Sequence, residues 1–401
     1  MAGPVGVAMS AVKILREDPC SPDFKPLEEA LHAWEIRRSD PKESHRRARV
    51  LIEHALEFDQ PLVTAWAYLT CGAHEVAANE LDEADESLTS AKTLFIRAGE
   101  QRGQSLATVL TARVRIARGE FNAALEMYKS IIEREAHGLR TLERFEAFNA
   151  IAGCFWAMDK IELCLLYLSK AFDTLRNTSH NTERATVLSN MAAALTTVGN
   201  HEAAKDFLLA AQEFSKGSED RVLQLNILTS LVAIHLEFKN VDDAVRVSAN
   251  ILTNFEDLAF AGPTNTSLCN AAMSFALGKQ WTLSDQCLVG AQLIAQEAGL
   301  SSSLIQVAQA EAEIAAARGN FAVAAAHAES VLSNFDQQLS AEMRSQLYGL
   351  LAGCYQKQSR LDDLLSVKKK KLALSEGRYQ SGLAAAMVIL DLKSSLRQIL
   401  A

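Results

Sequence analysis

A turn recurs in this chain every 40 residues, and no other feature limits its fold as severely. The clearest copy is Gly119-Glu120-Phe121-Asn122-Ala123-Ala124, followed at helical spacing by Tyr128 and Ile131. Forward from it come Asp159-Lys160-Ile161, Gly199-Asn200-His201, Lys239-Asn240-Val241, Lys279-Gln280-Trp281, Gly319-Asn320-Phe321 and Ser359-Arg360-Leu361. Backward lie Asn79-Glu80-Leu81 and Ser39-Asp40-Pro41. A fixed spacing held through nine turns, without insertion or deletion, is an internal structural repeat.

Each unit carries apolar and small residues at helical spacing on both sides of its turn. Seven residues before the turn stand Gly72, Ala112, Ala152, Ala192, Ala272, Ala312 and Ala352, with Val232 the largest member. Five after it stand Ala84, Ala124, Ala204, Ala244 and Ala324, with Cys164 and Ser284 as near equivalents. Small residues on both helices let their axes approach closely, as ridge-into-groove packing requires. Larger residues, among them Phe148, Phe155, Leu188, Leu195, Phe275 and Tyr355, fill the space around that contact. A single helical hairpin cannot bury its own apolar face, so neighbouring hairpins must stack into a solenoid.

These residues resemble the tetratricopeptide repeat: a small residue and then an aromatic before the turn, Gly-x-aromatic-x-x-Ala across it, and an apolar residue four later. The resemblance covers roughly residues 25 to 375 and departs in length, with 40 residues where the usual unit has about 34. It implies an all-α, right-handed α-solenoid of about nine helical hairpins over 23–375. A flexible tail (1–22) is expected before it and a C-terminal capping or coupling helix (376–401) after it. Ala-rich 40-residue units that end in an amphipathic helix also resemble the sensory half of bacterial signalling proteins, including diguanylate cyclases with tetratricopeptide input. The Gly-Gly-(Asp/Glu)-Glu-Phe signature of that catalytic half is absent from this sequence. The chain is therefore expected to be a free-standing adaptor or a separated input region.

Composition narrows the function. Five of seven prolines precede position 42, so helix breakers are scarce in the body of the array. A net charge of −9 argues against a nucleic-acid partner, which calls for a basic face. The seven cysteines lack paired spacing; that fits buried thiols in a reducing, cytoplasmic setting better than disulfides. No apolar run reaches the 18 residues a membrane helix needs. Neither a Gly-x-Gly-x-x-Gly nor a Gly-x-x-x-x-Gly-Lys loop is present, and there is no His-Glu-x-x-His, paired Cys-x-x-Cys or Gly-x-Ser-x-Gly. With no catalytic constellation, no cofactor and no metal set, the expected activity is non-catalytic recognition of a protein or peptide.

In the resembling family the first helix of each hairpin lines a concave groove. The slots about ten, nine and six residues before the turn hold Asn149, Ser189, Asn190, Thr229, Ser230, Asn270, Arg113 and Met273. Their amides and hydroxyls suit the backbone of an extended peptide; equally, they suit nothing beyond solubilising the wall. Three further features carry open readings. Arg37, Arg38, Arg46, Arg47 and Arg49 form either a solvated helix face with Glu partners or a dock for an acidic partner. The segment Gly377–Ala401, with Leu383, Met387, Leu390 and Leu396, either caps the solenoid or serves as a dimerising or coupling helix. Phe260–Thr266 is read as one longer turn in a continuous array, with a hinge as the alternative.

Overall fold

The computed structural model describes residues 25–37, 40–54, 60–133, 139–254 and 264–375. The expected N-terminal tail and C-terminal helix, and most of the Phe260–Thr266 interruption, lie outside these residues. Every described element is helical. The chain divides into two compact units, Met1–Cys154 and Phe155–Ala401.

The first unit contains α1 (Pro26–Glu35), α2 (Pro41–Glu53), α3 (Pro61–Ala78), α4 (Leu81–Ala98), α5 (Gln101–Ala117) and α6 (Phe121–Glu133). It also takes most of α7 (Thr141–Ala157). The second unit holds α8 (Ile161–Thr174), α9 (Asn181–Thr197), α10 (His201–Ser215), α11 (Arg221–Glu237) and α12 (Val241–Asn254). It continues through α13 (Thr264–Leu277), α14 (Trp281–Ala298), α15 (Ser301–Ala317), α16 (Phe321–Asn334), α17 (Ala341–Lys357) and α18 (361–375). Odd-numbered helices are the first members of hairpins and even-numbered helices the second.

The repeat is written into the backbone. Residues Asn79, Gly119, Asp159, Gly199, Lys239, Lys279, Gly319 and Ser359 all have positive φ, between 56° and 82°. Each is the left-handed residue that stops a first helix. The next amide then donates back over the turn to a carbonyl five residues earlier: Glu80 to Glu75, Glu120 to Arg115, Asn200 to Leu195, Asn240 to His235 and Gln280 to Phe275, all at 2.8–2.9 Å. Lys160, Asn320 and Arg360 repeat the bond at the same length. One hydrogen-bonded stop, every 40 residues, therefore fixes where each helix ends and the direction in which the next sets out.

Small residues occupy the positions the spacing assigns to them. Ala112, Ala272 and Ala312 before the turn are fully buried, as are Ala84, Ala124, Ala204, Ala244 and Ala324 after it. How little room they leave is plain at Gly72, where an added Cβ would come within 2.7 Å of Leu88 Cδ2. Where serine takes the slot after the turn it is equally buried, and its hydroxyl finds a backbone acceptor on the preceding helix. Ser284 Oγ donates to the Ala272 carbonyl at 2.9 Å, and Ser44 Oγ to the Ala33 carbonyl at 2.7 Å. In α1, Ala30, Ala33 and Trp34 form the buried face. At the other end Ala352 is only partly covered, while α18 turns Val367 inward and leaves Leu361 and Leu365 exposed. The architecture is an all-α solenoid of tetratricopeptide-like hairpins.

Candidate functional site between first helices of the second unit

First helices α11, α13, α15 and α17 stand side by side, and polar side chains stitch each to the next. Between α11 and α13, Asn270 Nδ2 donates to the Thr229 carbonyl at 3.3 Å, and the Thr229 and Ser267 hydroxyls are hydrogen-bonded. Between α13 and α15, Gln306 Oε1 accepts from Asn265 Nδ2 at 2.9 Å and from Thr266 Oγ1 at 3.0 Å. Between α15 and α17, Gln309 Nε2 donates to Gln346 Oε1 at 2.9 Å. Thr266, Gln306 and Gln346 occupy one register position, 13 residues before successive turns. Beside this seam Asn265, only 3% exposed, keeps its Oδ1 buried without a hydrogen bond.

These four helices line a half-open cavity of about 360 Å³. From α11 it is lined by Ala233, Leu236 and Glu237, and from α13 by Thr266, Cys269, Asn270, Met273 and Leu277. Helix α15 adds Gln306, Gln309 and Glu313, and α17 adds Met343 and Gln346. The wall combines amides that both donate and accept with flexible, polarisable methionines, a surface suited to an extended peptide. Its one thiol is inert: burial pushes Cys269 up to about 12, so no thiolate forms near neutrality. Glu313 behaves differently. Burial, and then the neighbouring charge of Glu237, raise Glu313 to about 7. That puts its titration close to neutral pH.

The structure treats the residues singled out from sequence unequally. Asn270 and Met273 line the cavity. Thr229 does not line the cavity: it is 6% exposed, held by its hydrogen bonds to the Leu225 carbonyl and to Ser267. The slot ten residues before the turn here faces the seam between first helices, which explains its burial. Ser230, beside it, donates to the Asn226 carbonyl of its own helix at 2.9 Å. Ser189 and Asn190 are half-buried on α9, away from the cavity lining. Arg113 and Asn149 belong to the first unit, Arg113 exposed on α5 and Asn149 half-buried on α7. Glu313 went unselected although it shares the register position of Arg113 and Met273. So did Gln309, in the position of Asn149 and Ser189.

Of the N-terminal arginines, Arg37, Arg46 and Arg47 have acidic partners, and Arg38 lies outside the described residues. Arg46 and Arg47 both donate to Glu43, at 2.8 and 2.7 Å, and Arg47 also pairs with Glu29. The hydrogen bond from Arg46 leads the effects that hold Glu43 at about 2. Arg37 lies over the Trp34 ring at 3.8 Å and faces Glu146 at 3.7 Å. Among the described residues no group of three or more His, Cys, Asp or Glu side chains is placed to hold a metal.

Comparison with known proteins places the architecture. No protein-family model matches the chain, and neither does any curated protein. Solved structures do. The apo form of RapI superposes with a TM-score of 0.65 at 14% identity, covering 91% of this chain and 98% of that one. A Rap protein complexed with competence and sporulation factor gives 0.61 at 13% identity, over 89% of this chain and 99% of its own. The apo form of the quorum sensor NprR from B. thuringiensis gives 0.61 at 13%, over 87% and 97%. At these identities the likeness is one of fold. This chain has the tetratricopeptide-like solenoid fold.

Proposed function

We propose that the chain is a non-catalytic, peptide-binding regulatory scaffold, whose cavity between α11, α13, α15 and α17 takes an extended segment of a protein or peptide partner. The observation that carries this reading is the wall itself: four first helices stitched by amides around a cavity of about 360 Å³, with methionine and leucine between the polar groups. Amides such as Asn270 and Gln309 offer both donors and acceptors to a peptide backbone, whichever way the strand runs. Cys269 is held as a thiol.

Likeness to the quorum sensor NprR, and to a Rap protein complexed with competence and sporulation factor, supports a sensory form of the same role. In that form the bound segment is a signal, and the solenoid passes its occupancy to an output partner, as in the input region of a signalling protein. A cytoplasmic location agrees with the six described cysteines, all free and buried. No described helix is long and apolar enough to cross a membrane.

The test is selection of phage-displayed random peptides on the wild type, followed by calorimetry on a variant carrying Asn270→Ala, Gln306→Ala and Gln309→Ala. With about 0.5–1.5 kcal/mol per lost hydrogen bond, the selected peptides should bind the variant roughly ten- to a thousandfold more weakly. Circular dichroism should show both proteins folded. Equal binding to both proteins would place the peptide site elsewhere and overturn the proposal.

A further inference from the structure

The cavity has a charge pattern that its amides do not explain. Among its lining residues Glu237 and Glu313 are the charged ones, and neither Lys, Arg nor His joins them. They stand on different helices, Glu237 near the C-terminal end of α11 and Glu313 on α15, with Met273 and Leu277 of α13 also lining the space. Neither carboxylate is hydrogen-bonded or ion-paired among the described residues. By contrast, the buried Glu143 of the first unit is paired with Arg102 at 2.6 Å. Glu313, partly buried, and Glu237, exposed, thus border one cavity whose lining offers them no counter-charge.

Resting on the reading of this groove as a peptide site, we propose that Glu237 and Glu313 together receive a positively charged nitrogen of the bound peptide. A lysine or arginine fits the rest of the wall as well. Its methylene stem would lie along Met273 and Leu277 while the charged head reaches the carboxylates, the way long cationic side chains usually divide themselves. A free terminal ammonium has the same charge without the stem. The amides of Asn270, Gln306 and Gln309 would hold the adjoining backbone.

The arrangement couples binding to protons. Glu313, raised to about 7 by burial and by Glu237, is largely protonated below neutrality. A bound cation favours the ionised form, so binding at low pH must first expel a proton, and affinity rises with pH until Glu313 is ionised without help. The elements packed against α15 bring few competing charges. Helix α13 has no Asp, Glu, Lys, Arg or His, and its Cys269 stays protonated. On α16, His327 faces Glu311 at 3.5 Å, and Glu329 accepts from Tyr355. On α14, Asp285 pairs with Arg318. On α17, Arg344 pairs with Asp336 at 3.1 Å, Lys357 is exposed, and the Cys354 thiol is pushed up by burial and then by Glu313. Glu237 supplies the neighbouring charge that shifts Glu313.

The experiment uses fluorescein-labelled octapeptide pools, random except at one central position, read by fluorescence anisotropy on the full chain. Three pools are N-acetylated, with Lys, Arg or norleucine at the fixed position; a fourth has norleucine and a free N-terminus. At pH 8 the Lys or Arg pool should bind at least tenfold tighter than the acetylated norleucine pool. An equal gain in the free-amine pool would assign the cation to the peptide terminus instead of a side chain. The gain should shrink severalfold at pH 6. It should fall below threefold in Glu313→Gln, an isosteric change, and in Glu237→Gln, at an exposed position where folding is not at risk. The proposal is overturned if acetylated norleucine binds the wild type as well as the three cationic pools do, or if the preference survives both Gln variants. If all pools bind alike and all weaken when Asn270, Gln306 and Gln309 become Ala, the peptide reading stands and the cation site falls. If no pool binds, both fall.

Discussion

The left-handed stops make the strongest test of the repeat, because the sequence supplies both versions of the same backbone. At Gly119 and Gly319, φ is 78° and 82°, and an added Cβ would meet no atom within 4 Å. Gly→Ala there isolates the cost of the backbone angle. For an L-residue the left-handed region costs about 1–2 kcal/mol, and the lower entropy of the unfolded Ala chain returns about 0.4–1. Each substitution should therefore destabilise by roughly 0.5–1.5 kcal/mol. At Lys239 and Lys279 the chain already bears this cost, with φ of 56° and 60° on exposed side chains. Lys239→Gly and Lys279→Gly should then stabilise by a similar amount, nearly additively, since the two positions lie a full repeat apart. Asn79, with φ of 62°, is the internal control: asparagine tolerates this region, so Asn79→Gly should change little. Urea titration followed by far-UV circular dichroism reads all five variants through the midpoint shift at constant slope. If the lysine-to-glycine changes destabilise, or Gly119→Ala costs nothing, the left-handed stop is not what sets the repeat.

Two further outcomes follow from burial. Ala192→Leu and Ala204→Leu add three heavy atoms each at sites 1% and 0% exposed, so each should cost on the order of 1–3 kcal/mol in a urea titration, while the exposed Ala193→Leu stays near neutral. Glu313, raised from 4.5 to about 7 in the fold, binds more protons folded than unfolded across that window, so its contribution is present below pH 4.5 and lost as pH rises through about 7. Glu313→Gln removes this loss: relative to the wild type it should gain about 1–2 kcal/mol between pH 5 and pH 8, and parallel stability curves would contradict the burial of the carboxylate.

The hairpin array was legible because it rests on local rules repeated without change. Glycine at 119, 199 and 319 marks the left-handed stop, and the same phase identifies Asp159, Lys239, Lys279 and Ser359, whose side chains alone would not. The small residues at Ala112 and Ala124 then follow from how closely two helices must approach. The seam between first helices was less legible. Position Thr229 reads as groove-facing by analogy with Asn149, yet contact with α13 buries it. Lateral spacing between neighbouring helices depends on side chains 38 to 41 residues apart, such as Thr229 with Ser267 and Asn270, which a single-helix register does not represent.

Glu313 shows why the site was read less well than the fold. Its register position was already marked by Arg113 and Met273, so place was not the missing information. What hid it was residue type: on a chain with 49 acidic residues, one more glutamate on a helix face looks like ordinary solvation. Two facts absent from a linear reading change its meaning. Burial raises Glu313, and Glu237, a full hairpin and more away in sequence, raises it further through space. Helix α13, packed beside α15, contributes no counter-charge anywhere along Thr264–Leu277. A partly buried carboxylate without a partner is costly to keep ionised, and replacement by glutamine would relieve that cost at no loss to packing. A function that needs the ionised form at the moment of binding gives the fold a reason to retain it. That argument joins the stability of the Gln variant to the affinity of the wild type: Glu313→Gln should make the protein more stable above neutral pH and poorer at holding a cation. A variant that gained stability and kept its preference for lysine and arginine pools would break the link between the two.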